Sequence, residues 1–298
     1  MSELNIREKI QELRQRTGAA ILDCKKALDA TENDIEKAVE WLKEQGIAKA
    51  AKKGGAIAAE GVVAINENDD SVVLYEINSQ TDFVAGNDKF IALVKNIGQI
   101  LLNNEFDNID QALLLPNEDG ESISDLTLNA TAIIGEKIML RRALKVKKVE
   151  DEVIGAYVHN NHRVAAIVIT VGGTYEVARN VAMHVASMNP EYLDVDSVPQ
   201  TKITEINTEI YNLPLLANKP DQIRENIAQG MISKKLAEIT LVDQEFIMEK
   251  IKVKDYLAKH KARAIAMYRY EVAEGITKKV EDFAAEVAAQ METNGNED

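Results

Sequence analysis

The chain is poor in the groups from which most protein chemistry is built. Among its 298 residues there is one cysteine, Cys24, and there are four histidines: His159, His162, His184 and His260. One cysteine excludes an intramolecular disulfide and points to a reducing compartment. Cys24 itself lies in an amphipathic stretch and reads as a small core residue. His159 and His162 share a turn, but neither cysteine nor further histidine stands at ligand spacing, so the pair does not read as a metal site. Positive charge is also in deficit: 35 Lys and Arg against 49 Asp and Glu leave a net charge of −14. That argues against direct nucleic-acid binding, which needs a basic face to displace counterions from phosphate. No apolar run approaches the ~20 residues of a membrane span. The start, MSELNIREKIQEL, has neither the basic and apolar regions of a signal peptide nor the low acidity of a transit peptide. The expectation is a cytoplasmic protein with no membrane contact.

Recognisable catalytic motifs are missing as well. AKKGGA is not a phosphate loop, and VGGTYEVA lacks the lysine and later glycine that such a loop needs. Neither G-x-S-x-G nor H-E-x-x-H occurs. Carboxylates are so abundant that no pair of them is informative. A chain of this size without a site motif is expected to act by binding, as a non-enzyme with no cofactor of its own.

What is present is a change of pattern along the chain. Residues 1–46 read as three short helices: Ile6, Ile10 and Leu13 share one face, Ile21, Leu22, Ala27 and Leu28 a second, and Ile35, Ala38, Val39 and Leu42 a third. Gly46 is placed to close the last of them. Residues 47–60, with small residues, glycines and four lysines, read as a linker or loosely held helix. From Gly61 the pattern is of strands. GVVAINENDDSVVLYEI is a hairpin, a helix follows from about Asp88 to Leu102, and EKIMLRRALKVKK supplies a third strand, completing a unit over 61–150. The stretch 103–135 between them reads as polar and irregular with one weak helix.

A second hairpin begins at Gly155 and is followed by a helix over Tyr175–Met188. The order strand–turn–strand–loop–helix therefore occurs twice. The expected fold is α+β: an N-terminal three-helix domain followed by a core of two similar subdomains, each an antiparallel sheet with one face covered by helices. The second subdomain takes residues 151–198 and 237–267, with AEITLVDQEFIM read as strands. Residues 199–236 read as an inserted antiparallel helical hairpin, because Pro214 and Pro220 forbid one continuous helix. Ile203, Ile206 and Ile210 are expected to face Ile223, Ile227 and Met231. Residues 268–298 form a C-terminal module, a strand-like Tyr268–Val272 then a helix carrying Phe283, and an acidic tail.

One junction is unusual. Ser79–Asp88, SQTDFVAGND, joins a buried strand to a helix, where small polar residues are the norm. It carries Phe83 and Val84 beside Asp82. Two readings are open. Phe83 packs as core in the crook between strand and helix, with Asp82 capping the helix, or the apolar pair is presented to a partner.

Several segments in order resemble the elongation factor Ts family: ELRQRTGAAILDCKKAL, IAKAAKKGGAIAAEG, VLYEINSQTDFVA, VAMHVASMNPEYL and RYEVAEGITKKVEDFAAEVAAQ. The resemblance covers the chain to about Gln290. It implies a ubiquitin-associated-like N-terminal domain, a two-subdomain core, a projecting helical hairpin and a C-terminal module. It also implies guanine-nucleotide exchange on elongation factor Tu, in its GDP-bound or nucleotide-free form. The loop Thr81, Asp82, Phe83 and Val84 would enter the partner's nucleotide-binding domain and disturb its Mg²⁺ site. Arg14, Ile21 and Leu22 match N-terminal-domain positions that touch the same domain; some relatives have methionines where this chain has Ile21 and Leu22. His159 matches a core position facing another domain of the partner, and the helix near Phe283 lies against the nucleotide domain. In some members the hairpin, here 199–236, serves self-association, so a homodimer is possible in kind. The rival readings are a non-catalytic ubiquitin-associated-like scaffold, and an enzyme whose site is built from the core's carboxylates.

Overall fold

A computed structural model describes residues 6–277 apart from Gly18 and Ala20. Phe283 and the rest of the expected C-terminal helix lie outside the described residues. Three helices open the chain: α1 (Ile6–Thr17), α2 (Ile21–Ala30) and α3 (Ile35–Lys52). Leu13, Cys24, Ala27, Leu28 and Ala38 make their shared core. Asp34 accepts from the amide of Lys37 at 3.1 Å and so caps α3. Gly46 does not end that helix. It lies inside α3, where a Cβ would stand 2.8 Å from the Cβ of Ala132. The glycine serves a close approach of two helices rather than a left-handed cap, and helix therefore continues into the expected linker as far as Lys52.

The first sheet has the order β1 (Glu60–Glu67), β2 (Ser71–Ser79), β3 (Met139–Lys147), all antiparallel. Between β2 and β3 run α4 (Asp82–Ala85), α5 (Asp88–Asn103), α6 (Ile109–Leu113) and α7 (Ile123–Ile134). The stretch expected to be irregular thus holds two helices. Local polar residues define both: Asn108 caps α6, while Ser122 and Asp125 form a reciprocal capping box on α7, which ends at Gly135 with φ 86°. Their apolar residues join α5 in covering one face of the sheet around Tyr75, Ile77, Phe90, Ile97 and Leu101.

The second sheet repeats the plan as β4 (Glu152–Val158), β5 (Val164–Gly172), and, far along the chain, β6 (Ala262–Glu271). Helix α8 (Tyr175–Met188) lies on it. Gly155 makes that approach possible, because a Cβ there would fall 2.1 Å from the carbonyl carbon of Ala178 in α8. The insertion is a hairpin of α9 (Gln200–Tyr211) and α10 (Asp221–Ile239), packed through Ile206, Ile210, Ala228 and Ile232. Ile223 is not on that seam and is 49% exposed. Leu216, from the 3-10 turn between the helices, fills the core in its place.

Two further expectations are corrected after the hairpin. AEITLVDQEFIM forms no named strand: α10 runs to Ile239, and a 3-10 turn at Leu241–Asp243 follows. Leu241 and Phe246 are buried against α8 and α11 (Val253–Lys259), five residues apart, so these apolar residues are separate anchors and not one face of a strand. Tyr268–Glu271 does not open a separate module either; it is the end of β6, paired with β5.

The two sheets stack face to face through Val63, Val72 and Leu74 on one side and Ile154, Ala165, Ile167 and Ile169 on the other. The core therefore has four layers, helix–sheet–sheet–helix. Every residue of β2 is buried for that reason.

Candidate partner-binding site

The junction after β2 is built from both sides. Thr81 precedes α4 with extended backbone, φ −123° and ψ 157°, but its side chain makes no capping bond. Instead its hydroxyl donates to Glu136 Oε1 at 2.7 Å, and its amide donates to Glu136 Oε2 at 2.9 Å. Ser79 Oγ donates to the Thr81 carbonyl at 2.9 Å. The Lys137 amide donates to Gln80 Oε1 at 2.8 Å. On the far side the Asn87 amide donates to the Val84 carbonyl at 2.9 Å, and Asn87 caps α5.

Within this frame adjacent residues point in opposite directions. Val84 is 7% exposed and belongs to the core beneath α5. Phe83 is 87% exposed, more than any other large apolar side chain among the described residues. Asp82 is exposed and is the first residue of α4, not its cap. Of the two readings of the junction, core is right for Val84 and wrong for Phe83. Val84 is thereby corrected: its side chain is a root that is not free to touch a partner. Thr81 is half-buried and acts as a tether.

His159 opens the β4–β5 turn. Its amide donates to the Val164 carbonyl at 2.9 Å, and its Nδ1 lies 3.0 Å from Asn161 Oδ1. The ring is exposed, with its neighbour Tyr157 edge-on at 6.4 Å. This turn is fastened to the first sheet near the Phe83 junction. The Val63 amide donates to the His162 carbonyl at 2.8 Å, and Arg163 pairs with Glu60. Glu60 is the register partner of Ser79, the residue that leads into the junction. The chain leaving β6 joins them, since the Val272 amide donates to the Arg163 carbonyl at 2.8 Å. The end of β2, the β4–β5 turn and the chain leaving β6 therefore meet around Glu60 and Arg163.

In the helical domain Arg14 is exposed on α1, while Ile21 and Leu22, opening α2, are 56% and 71% exposed. They are not part of the domain's core. The domain is tied to the body through α3. Lys43 lies 3.7 Å from Glu121, and Lys53 Nζ donates to the Gly135 carbonyl. Lys137 Nζ in turn donates to the carbonyls of Gly54 and Ala56 at 2.6 and 3.0 Å.

Sequence reasoning passed over Gln80, Glu136, Lys137, Glu60 and Arg163. Their partners are 55 or more residues away in the cases of Thr81–Glu136, Gln80–Lys137 and Glu60–Arg163, so no local spacing announces them. Among the described residues no group of three or more His, Cys, Asp and Glu is placed to hold a metal ion. No described helix is long and apolar enough to cross a membrane. What the surface offers is an exposed aromatic ring on a turn held from both sides, a geometry suited to insertion into another protein.

Comparison with known proteins shows the family. A family model described as "Elongation factor TS" matches residues 80–274, and one described as "Elongation factor Ts, mitochondrial, N-terminal" matches residues 3–54. The chain is 50% identical over 283 residues to elongation factor Ts of Mycoplasmopsis pulmonis, covering 95% of this chain and 96% of that one. For elongation factor Ts of Mycoplasmopsis synoviae the identity is 46% over 283 residues, covering 95% and 97%. For that of Acholeplasma laidlawii it is 42% over 287 residues, again 95% and 97%. With one family model matched from Gln80 through the second sheet and the hairpin, and with relatives aligned over nearly their whole length, the chain belongs to the elongation factor Ts family and is a translation elongation factor.

Proposed function

We propose that the protein promotes release of GDP from elongation factor Tu, with Phe83 as a wedge that enters the partner's nucleotide-binding domain. The observation that carries this reading is the 87% exposure of Phe83 on a helical turn rooted by Val84 and tethered through Thr81. An aromatic ring left in water costs free energy that only a partner can recover. Burying it stabilises a complex by roughly 1.5–3 kcal/mol. If that burial is available only when the nucleotide site is distorted, it lowers GDP affinity about tenfold to hundredfold. A Mg²⁺-bridged diphosphate is a sensitive target, because Mg²⁺ demands near-ideal octahedral geometry and tolerates little displacement of its ligands. The metal belongs to the partner, and the protein contributes no covalent chemistry.

Asp82 stands exposed beside the ring as a hydrogen-bond acceptor that fixes the angle of insertion. Arg14, Ile21 and Leu22 supply a second contact with the nucleotide domain, and His159 a contact with another domain. Exchange follows by linkage: if this protein weakens GDP binding, GDP weakens binding of this protein by the same factor. The test is release of fluorescent GDP from elongation factor Tu, with wild type and Phe83→Ala compared. Wild type is expected to accelerate release and the folded variant to do so weakly. Equal acceleration by both refutes the wedge.

A further inference from the structure

We propose that Glu136 is a positioning residue for Phe83, acting through Thr81. The inference rests on the reading of Phe83 as the inserted group. Helix α4 has four residues, Asp82–Ala85. A helix of one turn does not hold its shape in water, since nucleation costs more than a single hydrogen bond returns. Its N-cap residue, Thr81, is of the type that ordinarily accepts a hydrogen bond from the helix's own first turn. Here that bond is not made. The Thr81 hydroxyl and amide are both given to the Glu136 carboxylate, one to each oxygen.

A carboxylate receives the two donors on separate oxygens, whereas the amide of Gln keeps one acceptor oxygen and turns an NH₂ toward one of the two donors. Charge-assisted bonds of this kind are about twice as strong as neutral ones. The neighbouring Lys137 amide holds Gln80 as well, so the turn Gly135–Lys137 grips the two consecutive residues just before α4. The same turn receives the chain leaving the helical domain, through Lys53 on Gly135 and Lys137 on Gly54 and Ala56. It therefore registers Phe83 against both the core and the N-terminal helices.

A wedge works by being in place before the partner must yield. Loosening its mount leaves the ring's contact area intact but spends binding energy on ordering the loop. The expected signature is a loss in the maximal rate of GDP release rather than in the concentration needed to reach half of it.

The experiment measures fluorescent-GDP release from elongation factor Tu against concentration of wild type, Glu136→Ala, Glu136→Gln, Phe83→Ala and the double variant Glu136→Ala/Phe83→Ala. Amide exchange of residues 82–85 is followed in each free protein. Glu136→Ala is expected to lower the maximal rate about tenfold, with half-saturation shifted less than about threefold, and Glu136→Gln to fall between it and wild type. The double variant is expected to be no slower than Phe83→Ala alone, because Glu136 acts only through the ring. Exchange at 82–85 is expected to quicken in both Glu136 variants and to stay unchanged in the rest of the core. Unchanged exchange at 82–85, or losses that multiply in the double variant, overturns the role of Glu136. A Phe83→Ala protein with full activity overturns the wedge instead, and the amide-exchange result still judges Glu136. If Glu136→Ala does not fold, the same outcomes are read from Glu136→Gln.

Discussion

Replacing Phe83 and Val84 one at a time with alanine separates mounting from function at neighbouring positions. Full burial of a Phe side chain is worth roughly 1.5–3 kcal/mol. With 87% of Phe83 in water, only about an eighth of that is realised in the free protein, about 0.2–0.4 kcal/mol. Alanine is also the better helix former. Phe83→Ala is therefore expected to leave the unfolding transition within about 0.5 kcal/mol of wild type. Val84→Ala removes two buried methyl-sized groups at about 0.8 kcal/mol each and leaves a cavity beside Phe90 and Val94, so the expected cost is about 2 kcal/mol. Denaturant titration followed by circular dichroism gives both numbers, and GDP release from elongation factor Tu gives the functional arm. The expected pattern is a stable, weakly active Phe83→Ala and a destabilised Val84→Ala whose residual folded fraction is active. A Phe83→Ala protein that loses 2 kcal/mol or more shows the ring to be packed in solution and refutes the argument from exposure.

The inter-sheet layer makes a second prediction. Glu76 is fully buried and accepts from Arg141, Arg142 and the Ala273 amide. Glu76→Ala leaves Arg141 without a carboxylate and Arg142 with Glu274 alone, and is expected to cost about 3–5 kcal/mol in thermal or chemical unfolding. Gly155→Ala drives a methyl into the backbone of α8 at Ala178 and Arg179; a loss of at least 1–3 kcal/mol, on the order found for overpacked cores, is expected in the same assay. His184 is buried with Nδ1 accepting from the Ile247 amide and Nε2 facing Gln244 Oε1, and burial lowers its pKa below the ordinary 6.5. The folded state then binds fewer protons than the unfolded state, so this contribution is complete above pH 6.5 and is lost as pH falls below it, at up to about 1.4 kcal/mol per pH unit. Stability measured from pH 7.5 to 5 should show that slope in wild type and a shallower one in His184→Gln. Cys24 is fully buried and desolvation raises its thiol pKa; alkylation at pH 8 is expected to be slow until denaturant opens the helical domain.

Much of the architecture was legible because it is carried by local period. Both hairpins, α5, α8 and the α9–α10 pair follow from alternation or helical spacing within a few residues. The misreadings have a common physical origin. At Gly46 the sequence offers a glycine after a helical run, which usually means a left-handed cap; the reason for this one is Ala132, 86 positions away. At Leu241 and Phe246 the apolar residues are real core residues, but they are two anchors in an irregular chain rather than one face of a pleat. The Ala262–Glu271 strand was half seen because its pairing partner, β5, is about a hundred residues earlier.

The Phe83 junction shows the same limit at the scale of one residue. Phe83 and Val84 are both apolar, both in a short connection, and equally able to be core by any local measure. Which one faces inward is set by the phase of a single helical turn. That phase is set in turn by where Thr81 is held, and Thr81 is held by Glu136, on the loop that leads into β3. No window along the sequence contains both ends of that bond. The resemblance to a family supplied an orientation for the loop that periodicity could not, and the tether gives the physical reason for it. If the tether is cut, the two apolar neighbours become interchangeable again. Glu136→Ala is then expected to let Phe83 turn inward for part of the time, read as a fall in the accessibility of a cysteine placed at that position in Phe83→Cys/Glu136→Ala relative to Phe83→Cys, in a Cys24→Ala background. Equal labelling rates in the two proteins would mean that the fold of the core, and not Glu136, decides which residue points out.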